Sequence, residues 1–94
     1  MFEERVSSIG KALANPTRVW MLRQLEEGER CGCEFVALGL DASIVSRYFT
    51  MLASAGLVTS RRDGVRVLWR LTDGAVLELL ERLAEVAAAK ETSV

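Results

Sequence analysis

The chain has 94 residues, half of them apolar, with a net charge of −1 and no histidine. That length suits one domain, expected to span residues 1–94, and at this size a partner subunit adds useful buried surface. No apolar run reaches the roughly 18 residues of a membrane span, and Met1 is followed by Phe-Glu-Glu-Arg rather than a secretion leader, so no membrane partner is expected and the cytoplasm is the expected location. Without histidine the commonest zinc ligand and the usual general base are both missing, and an enzyme is not expected.

Phe2, Val6, Ile9 and Leu13 recur at helical spacing and predict a first amphipathic helix. Asn15 is a favoured N-cap and Pro16 suits the first helical position, so a second helix is expected over residues 16–27, with Gly28 stopping it. A short third helix fits residues 33–38, released by Gly39. Asp41 can cap a fourth that runs to Ala55 before Gly56. This fourth helix has two faces. Val45, Phe49 and Leu52 form an apolar stripe, while Ser43, Ser46, Arg47, Thr50 and Ser54 form a polar one.

Residues 57–62 and 65–71 read as strands around Asp63-Gly64, a two-residue hairpin signal. In the second strand Val65, Val67, Trp69 and Leu71 alternate with Arg66, Leu68 and Arg70, which predicts that the first set packs inward. Thr72 can cap a last helix whose Val76, Leu79, Leu80, Leu83 and Val86 share one side. The order is four helices, a hairpin and a helix, so the fold class is mainly α with a β-hairpin wing, a winged helix-turn-helix. The apolar stripes Phe2, Val6, Ile9, Leu13 and Val76, Leu79, Leu83, Val86 are the expected surface of a homodimer.

Charge is unevenly distributed. Between Ser43 and Arg70 stand five arginines, Arg47, Arg61, Arg62, Arg66 and Arg70, against the single acid Asp63. A basic face on a weakly acidic protein fits a DNA partner, with Ser43, Ser46, Arg47 and Thr50 on the reading helix and Arg61, Arg62 and Arg66 on the wing as candidate contacts. Arginine pairs bidentately with guanine edges or phosphate, and short hydroxyl side chains allow close approach. The same wing arginines also keep a sheet edge from pairing with another molecule.

Leu13-Ala14-Asn15-Pro16-Thr17-Arg18, Val45-Ser46-Arg47-Tyr48-Phe49 with Leu52, Ala55-Gly56-Leu57-Val58 and Arg62-Asp63-Gly64 together resemble the successive signatures of ArsR/SmtB repressors. The resemblance implies that the Ser46-Arg47 helix enters the major groove of double-stranded operator DNA and that the wing touches neighbouring backbone or minor groove. Ala42 and Ile44 stand where the family carries polar residues. Base readout at those positions is reduced, and the rival reading they favour is a winged-helix protein-interaction module without DNA binding.

Cys31 and Cys33 are the only cysteines. Two residues apart they close almost no loop, so they are expected as reduced thiols rather than a staple. Thiolates select soft ions, and Gly32 eases the turn that would bring both sulfurs together. The segment resembles the Cys-x-Cys part of the family's arsenite site, where a third cysteine often follows; that position is Val36 here. The implied effector is trivalent arsenic, either arsenite with a small ligand completing it or an organoarsenical that needs only two thiolates. Mercury(II), copper(I) and oxidation of the pair are the competing signals, and burial as two small hydrophobes is the alternative without function.

Overall fold

The computed structural model describes residues 1–92 and arranges them as α1 (Phe2–Leu13), α2 (Pro16–Gln24), β1 (Arg30–Cys31), α3 (Gly32–Ala37), α4 (Ala42–Ser54), β2 (Val58–Asp63), β3 (Arg66–Leu71) and α5 (Gly74–Thr92). Helix starts follow the expected chemistry. The Asn15 side chain accepts the backbone N–H of Thr17 at 2.9 Å and of Arg18 at 3.1 Å, and Pro16 opens α2. That helix ends at Gln24, three residues early, because Leu25, Glu26 and Gly28 turn back to carbonyls three residues behind them.

The core is built on aromatic rings that link the helices to the sheet. Trp20 of α2 meets Phe35 of α3 edge-on, Phe35 meets Phe49 of α4 edge-on, and Phe49 stacks on Trp69 of β3 with centroids 4.7 Å apart. Met21, Leu22, Phe35, Phe49 and Leu52 are completely covered. Burying each such side chain is worth roughly 1.5–3 kcal/mol, so the inner face of α4, with Val45, Phe49 and Leu52, is pinned firmly. Its other face is thereby fixed in direction toward solvent.

Arg18 is an unexpected core member, only 7% exposed. Its Nε donates to the Ala12 carbonyl at 2.7 Å and its Nη2 to the Lys11 carbonyl at 3.0 Å, closing the end of α1, while the guanidinium lies 5.0 Å from the Tyr48 ring centroid. Nη1 also approaches Met51 Sδ at 3.7 Å. One cation therefore ties α1 and α2 to α4. Helix-terminal carbonyls carry part of the negative end of the helix dipole, which is what makes this position tolerable for a buried charge.

The sheet has the order β1-β3-β2, all antiparallel. Strand β1 was not foreseen; two residues are too short to show an alternation. The hairpin is shifted by one residue from the expected turn. Asp63 pairs with Arg66, so Gly64-Val65, not Asp63-Gly64, forms the loop, with Gly64 at φ +65° and Val65 96% exposed. Glycine in the first of two loop positions supplies the positive φ of a primed turn without asking it of β-branched Val65. Strand β3 also differs: Leu68, expected outward, is buried opposite Cys31, while Val67 and Trp69 are half-buried on the other side.

Thr72 does not cap α5. Its hydroxyl donates to the Gly56 carbonyl at 2.8 Å, and Asp73 accepts the Ala75 N–H at 2.8 Å instead. Of the stripes expected to meet a partner, Phe2, Val6, Leu83 and Val86 are exposed and Ile9, Leu13 and Leu79 are half-buried. Val76 departs from that set, lying with Leu80 in the subunit's own core. No helix among the described residues is long and apolar enough to cross a membrane.

Candidate nucleic-acid interface and cysteine site

The start of α4 is organised by Asp41. Its carboxylate accepts the hydroxyl of Ser43 together with the backbone N–H groups of Ser43 at 2.8 Å and Ile44 at 3.3 Å. These bonds, the Ser43 hydroxyl first, hold the Asp41 carboxyl below its ordinary pKa. Ser43, expected at DNA, thus spends its hydroxyl proton on the cap. Thr50 likewise donates to the Ser46 carbonyl at 2.8 Å, one turn back in the helix. Ser46 and Arg47 remain on the exposed face. Among the described residues Arg47 has no ion pair or side-chain hydrogen bond, and its guanidinium is available to an outside acceptor.

The wing arginines are not equivalent. Arg61 donates from Nε and Nη2 to both oxygens of Glu29, at 2.7 and 2.8 Å, in a fork across the sheet. That bond lowers the pKa of Glu29 and raises that of Arg61. Arg62 and Arg66 are exposed on either side of the turn, opposite Val67 and Asp63 respectively. Phosphate must compete with a carboxylate for Arg61 but not for Arg62.

Cys31 and Cys33 are joined in a disulfide, their Cα atoms 5.1 Å apart. This corrects the expectation of free thiols: an extended Cys31 followed by the first helical turn brings the two sulfurs together despite the tiny loop. Cys31 is both the last residue of β1 and the N-cap of α3. Its Sγ accepts the Cys33 N–H at 3.1 Å, and the Glu34 carboxylate returns to accept the Cys31 N–H at 2.8 Å. Arg30 braces that carboxylate at 3.3 Å and donates to the Gln24 carbonyl at 2.7 Å. Cys31 is 3% exposed whereas Cys33 faces solvent.

Gly32, between them, lies beside α4 and β3. A β-carbon there would stand 3.6 Å from Val45 Cγ1 of α4 and 3.8 Å from Trp69 Nε1 of β3. The cysteine turn is therefore close to α4 and, through the β1–β3 pairing, to the hairpin. Among the described residues no group of three His, Cys, Asp or Glu side chains is placed to hold a metal ion. The donor set is two sulfurs, which suits a two-coordinate soft ion or an organoarsenical better than one needing three protein ligands.

Arg18 and Glu29 were not singled out by sequence reasoning. Arg18 leaves one trace, a lone cation in the apolar turn with Val19, Trp20, Met21 and Leu22. Glu29 leaves none, because its partner Arg61 is 32 residues away.

Comparison with known proteins places these features in context. The model described as "Bacterial regulatory protein, arsR family" matches residues 15–60. The chain is 39% identical over 85 residues to the HTH-type transcriptional repressor SmtB of Mycobacterium tuberculosis, an alignment that takes in 89% of this chain and 62% of that protein. It is 34% identical over 93 residues to the HTH-type transcriptional regulator CmtR of Mycobacterium bovis, covering 98% of this chain and 79% of CmtR. Among solved structures, the homodimeric winged helix-turn-helix DNA-binding domain of a possible ArsR-family regulator from Mycobacterium bovis superposes with a TM-score of 0.84 at 33% identity, over 98% of this chain and 85% of that one.

Proposed function

Since the chain belongs to the ArsR family of bacterial regulatory proteins, we propose that it is a homodimeric transcriptional repressor that binds double-stranded operator DNA and releases it when a trivalent arsenical bridges Cys31 and Cys33. The observation that carries the DNA-binding reading is the two-sidedness of α4: an inner face locked by Phe49 and Leu52, and an exposed outer face on which the Ser46 hydroxyl and the Arg47 guanidinium make no side-chain hydrogen bond or ion pair among the described residues. Arg62 and Arg66 on the wing add sequence-independent attraction for phosphate. Dimerisation is supported by the exposed Phe2, Val6, Leu83 and Val86 and by the homodimeric neighbour from Mycobacterium bovis.

For the effector, the support is that both sulfurs sit at one point, so a single thiophilic atom can span them once the disulfide is reduced. A monosubstituted arsenical, RAs(OH)₂, condenses with two thiols to give RAs(SR′)₂ and two waters, leaving no arsenic valence unmet. Arsenite uses the same two thiols but keeps a hydroxyl, since Val36 offers no third sulfur. Release follows by linkage: a ligand that binds better when the Gly32 turn is displaced favours a conformation in which α4 and β3 no longer fit DNA together.

The test is a mobility shift on the region upstream of the chain's own gene, using reduced protein with a methylated or aryl trivalent arsenical, arsenite, mercury(II), copper(I) or peroxide. The arsenical is expected to release operator at lower concentration than arsenite, and Cys31→Ser and Cys33→Ser to stay bound. Arsenical release that persists in both variants would sink the chelation reading. A second reading has its own observation, the disulfide itself: release by peroxide alone, reversed by a reducing thiol, would make the pair a redox switch.

A further inference from the structure

The two cysteines of this small ring are unequal, and the inequality has a chemical direction. A thiolate opens a disulfide by attacking one sulfur along the S–S axis, so the sulfur it can reach decides the reaction. Cys31 is 3% exposed, on the sheet row it shares with Leu68, itself 7% exposed, and Arg61. Cys33 lies one residue into α3 and is open to solvent.

We propose that Cys33 is a modification site for low-molecular-weight thiols and disulfides, forming a mixed disulfide with them, and that Cys31 is the sulfur that leaves or closes the ring. The exchange itself stands on the difference in exposure between the two cysteines; only its consequence for DNA rests on the redox reading of the pair given above. In the reducing direction an external thiolate, RS⁻, attacks Cys33 Sγ, the Cys31–Cys33 bond breaks, and Cys31 departs as thiolate while Cys33 carries the new S–SR bond. A second RS⁻ attacks the R-bearing sulfur, releasing RSSR and a Cys33 thiolate. Two external thiols are oxidised and one protein disulfide reduced. In the oxidising direction Cys33 thiolate attacks RSSR and expels RS⁻, then Cys31 attacks Cys33 Sγ and expels the second RS⁻.

The surroundings of Cys31 favour it as leaving group. The Cys33 N–H, 3.1 Å from Cys31 Sγ, is a donor that a thiolate accepts better than a disulfide sulfur does. Arg30, immediately before it, and Glu34, whose carboxylate holds the Cys31 N–H, fix that sulfur at the cap of α3 while the ring opens. The exposed partner is Cys33, on the first turn of the helix. Each redox state thereby sets how well α3 is capped, and Gly32, whose added β-carbon would meet Val45 and Trp69, lies beside both elements that the change would reach.

The test uses the reduced full chain as Cys31→Ser and Cys33→Ser variants, with bis(2-hydroxyethyl) disulfide as a neutral probe and intact mass as the readout. Serine at position 31 is itself a good N-cap, so the variant that retains Cys33 keeps α3 capped. In native buffer the Cys31→Ser protein is expected to gain its adduct about ten times faster than Cys33→Ser, and in guanidinium, where burial is lost, the two rates should converge. Equal native rates, or faster labelling of the variant that retains Cys31, overturn the proposal. Operator affinity of oxidised and reduced wild type is measured separately. Fast Cys33 labelling with no change in affinity leaves the modification site standing and removes the redox switch, whereas a redox-dependent affinity with the labelling order reversed keeps the switch and removes this assignment.

Discussion

The outer face of α4 and the wing both present arginine to solvent, yet the fold treats the two regions differently. On α4 the nearby acid, Asp41, is turned to the helix N-terminus and Ser43, and Arg47 is left without a bonded partner among the described residues. On the wing Glu29 reaches across the sheet and takes Arg61 in both hands of its carboxylate. A count of positive charges along the chain ranks Arg47 and Arg61 alike. What separates them is which acid the topology brings near, and that depends on β1 carrying Glu29 to the far edge of the sheet.

The largest effect should come from the unpaired side. Arg47→Ala is expected to fold and dimerise normally while operator affinity falls by about 2–6 kcal/mol, taking roughly 1–3 kcal/mol for each bidentate contact and two copies per dimer. Fluorescence anisotropy on operator and on unrelated duplex measures this, and unchanged operator binding would move the reading surface off α4. Second in size is the residue that holds α4 in place. Arg18→Met keeps bulk but leaves the Lys11 and Ala12 carbonyls without their donor, and should lower unfolding free energy by about 2–4 kcal/mol, a lost network of charged hydrogen bonds being among the costly changes. Urea denaturation checks it, and a loss under half of that would mean water replaces the guanidinium readily.

The comparison sharpens further at Glu29. If Glu29 withholds Arg61 from DNA, Glu29→Gln should steepen the salt dependence of non-specific binding by about one phosphate per subunit, a slope change of about 0.9 for each. Arg62→Ala should flatten it by a similar amount, and Arg61→Ala should change it little. An Arg61→Ala slope as flat as that of Arg62→Ala would show that DNA pulls Arg61 from Glu29, erasing the difference between the two arginines.

Much of this arrangement is legible in the residues, and the parts that are not share a cause. Asn15-Pro16, Asp41 and Gly56 announce helix boundaries because caps and stops act over three or four residues, and the structure keeps all three. Thr72 against Asp73 is a choice between adjacent capping residues that was settled by a contact 16 residues away, the Gly56 carbonyl. The hairpin was legible as a hairpin, but its one-residue shift depends on pairing Asp63 with Arg66. Strand β1, the Glu29–Arg61 fork and the carbonyl-bound Arg18 are long-range and leave no local period. The cysteine pair lies between these cases: the Gly32 turn made convergent sulfurs possible, but the short spacing argued against the disulfide that the extended Cys31 and first turn of α3 allow, and the difference in exposure between Cys31 and Cys33 comes from the sheet.

The smallest effect belongs to Asp41, and it tests whether this acid serves the helix as a charge. Its folded pKa is depressed, chiefly by the Ser43 hydroxyl and then by the two backbone N–H groups. A depressed carboxyl contributes stability that is present above the unfolded pKa and is lost as pH falls from the ordinary carboxylate range through the lower folded value. Asp41→Asn keeps an oxygen acceptor for the cap but cannot titrate. Wild type should therefore melt slightly above Asp41→Asn near neutrality, by less than the Arg18→Met difference, and the gap should close as the pH is lowered past the carboxylate range. Glu29 has the same sign, since its pKa is lowered by Arg61, but its titration also frees Arg61. Melting curves of Asp41→Asn and Glu29→Gln against pH thus separate the two acids from each other as well as from wild type. A gap between wild type and Asp41→Asn that stays constant with pH would mean that Asp41 caps α4 through hydrogen-bond geometry alone.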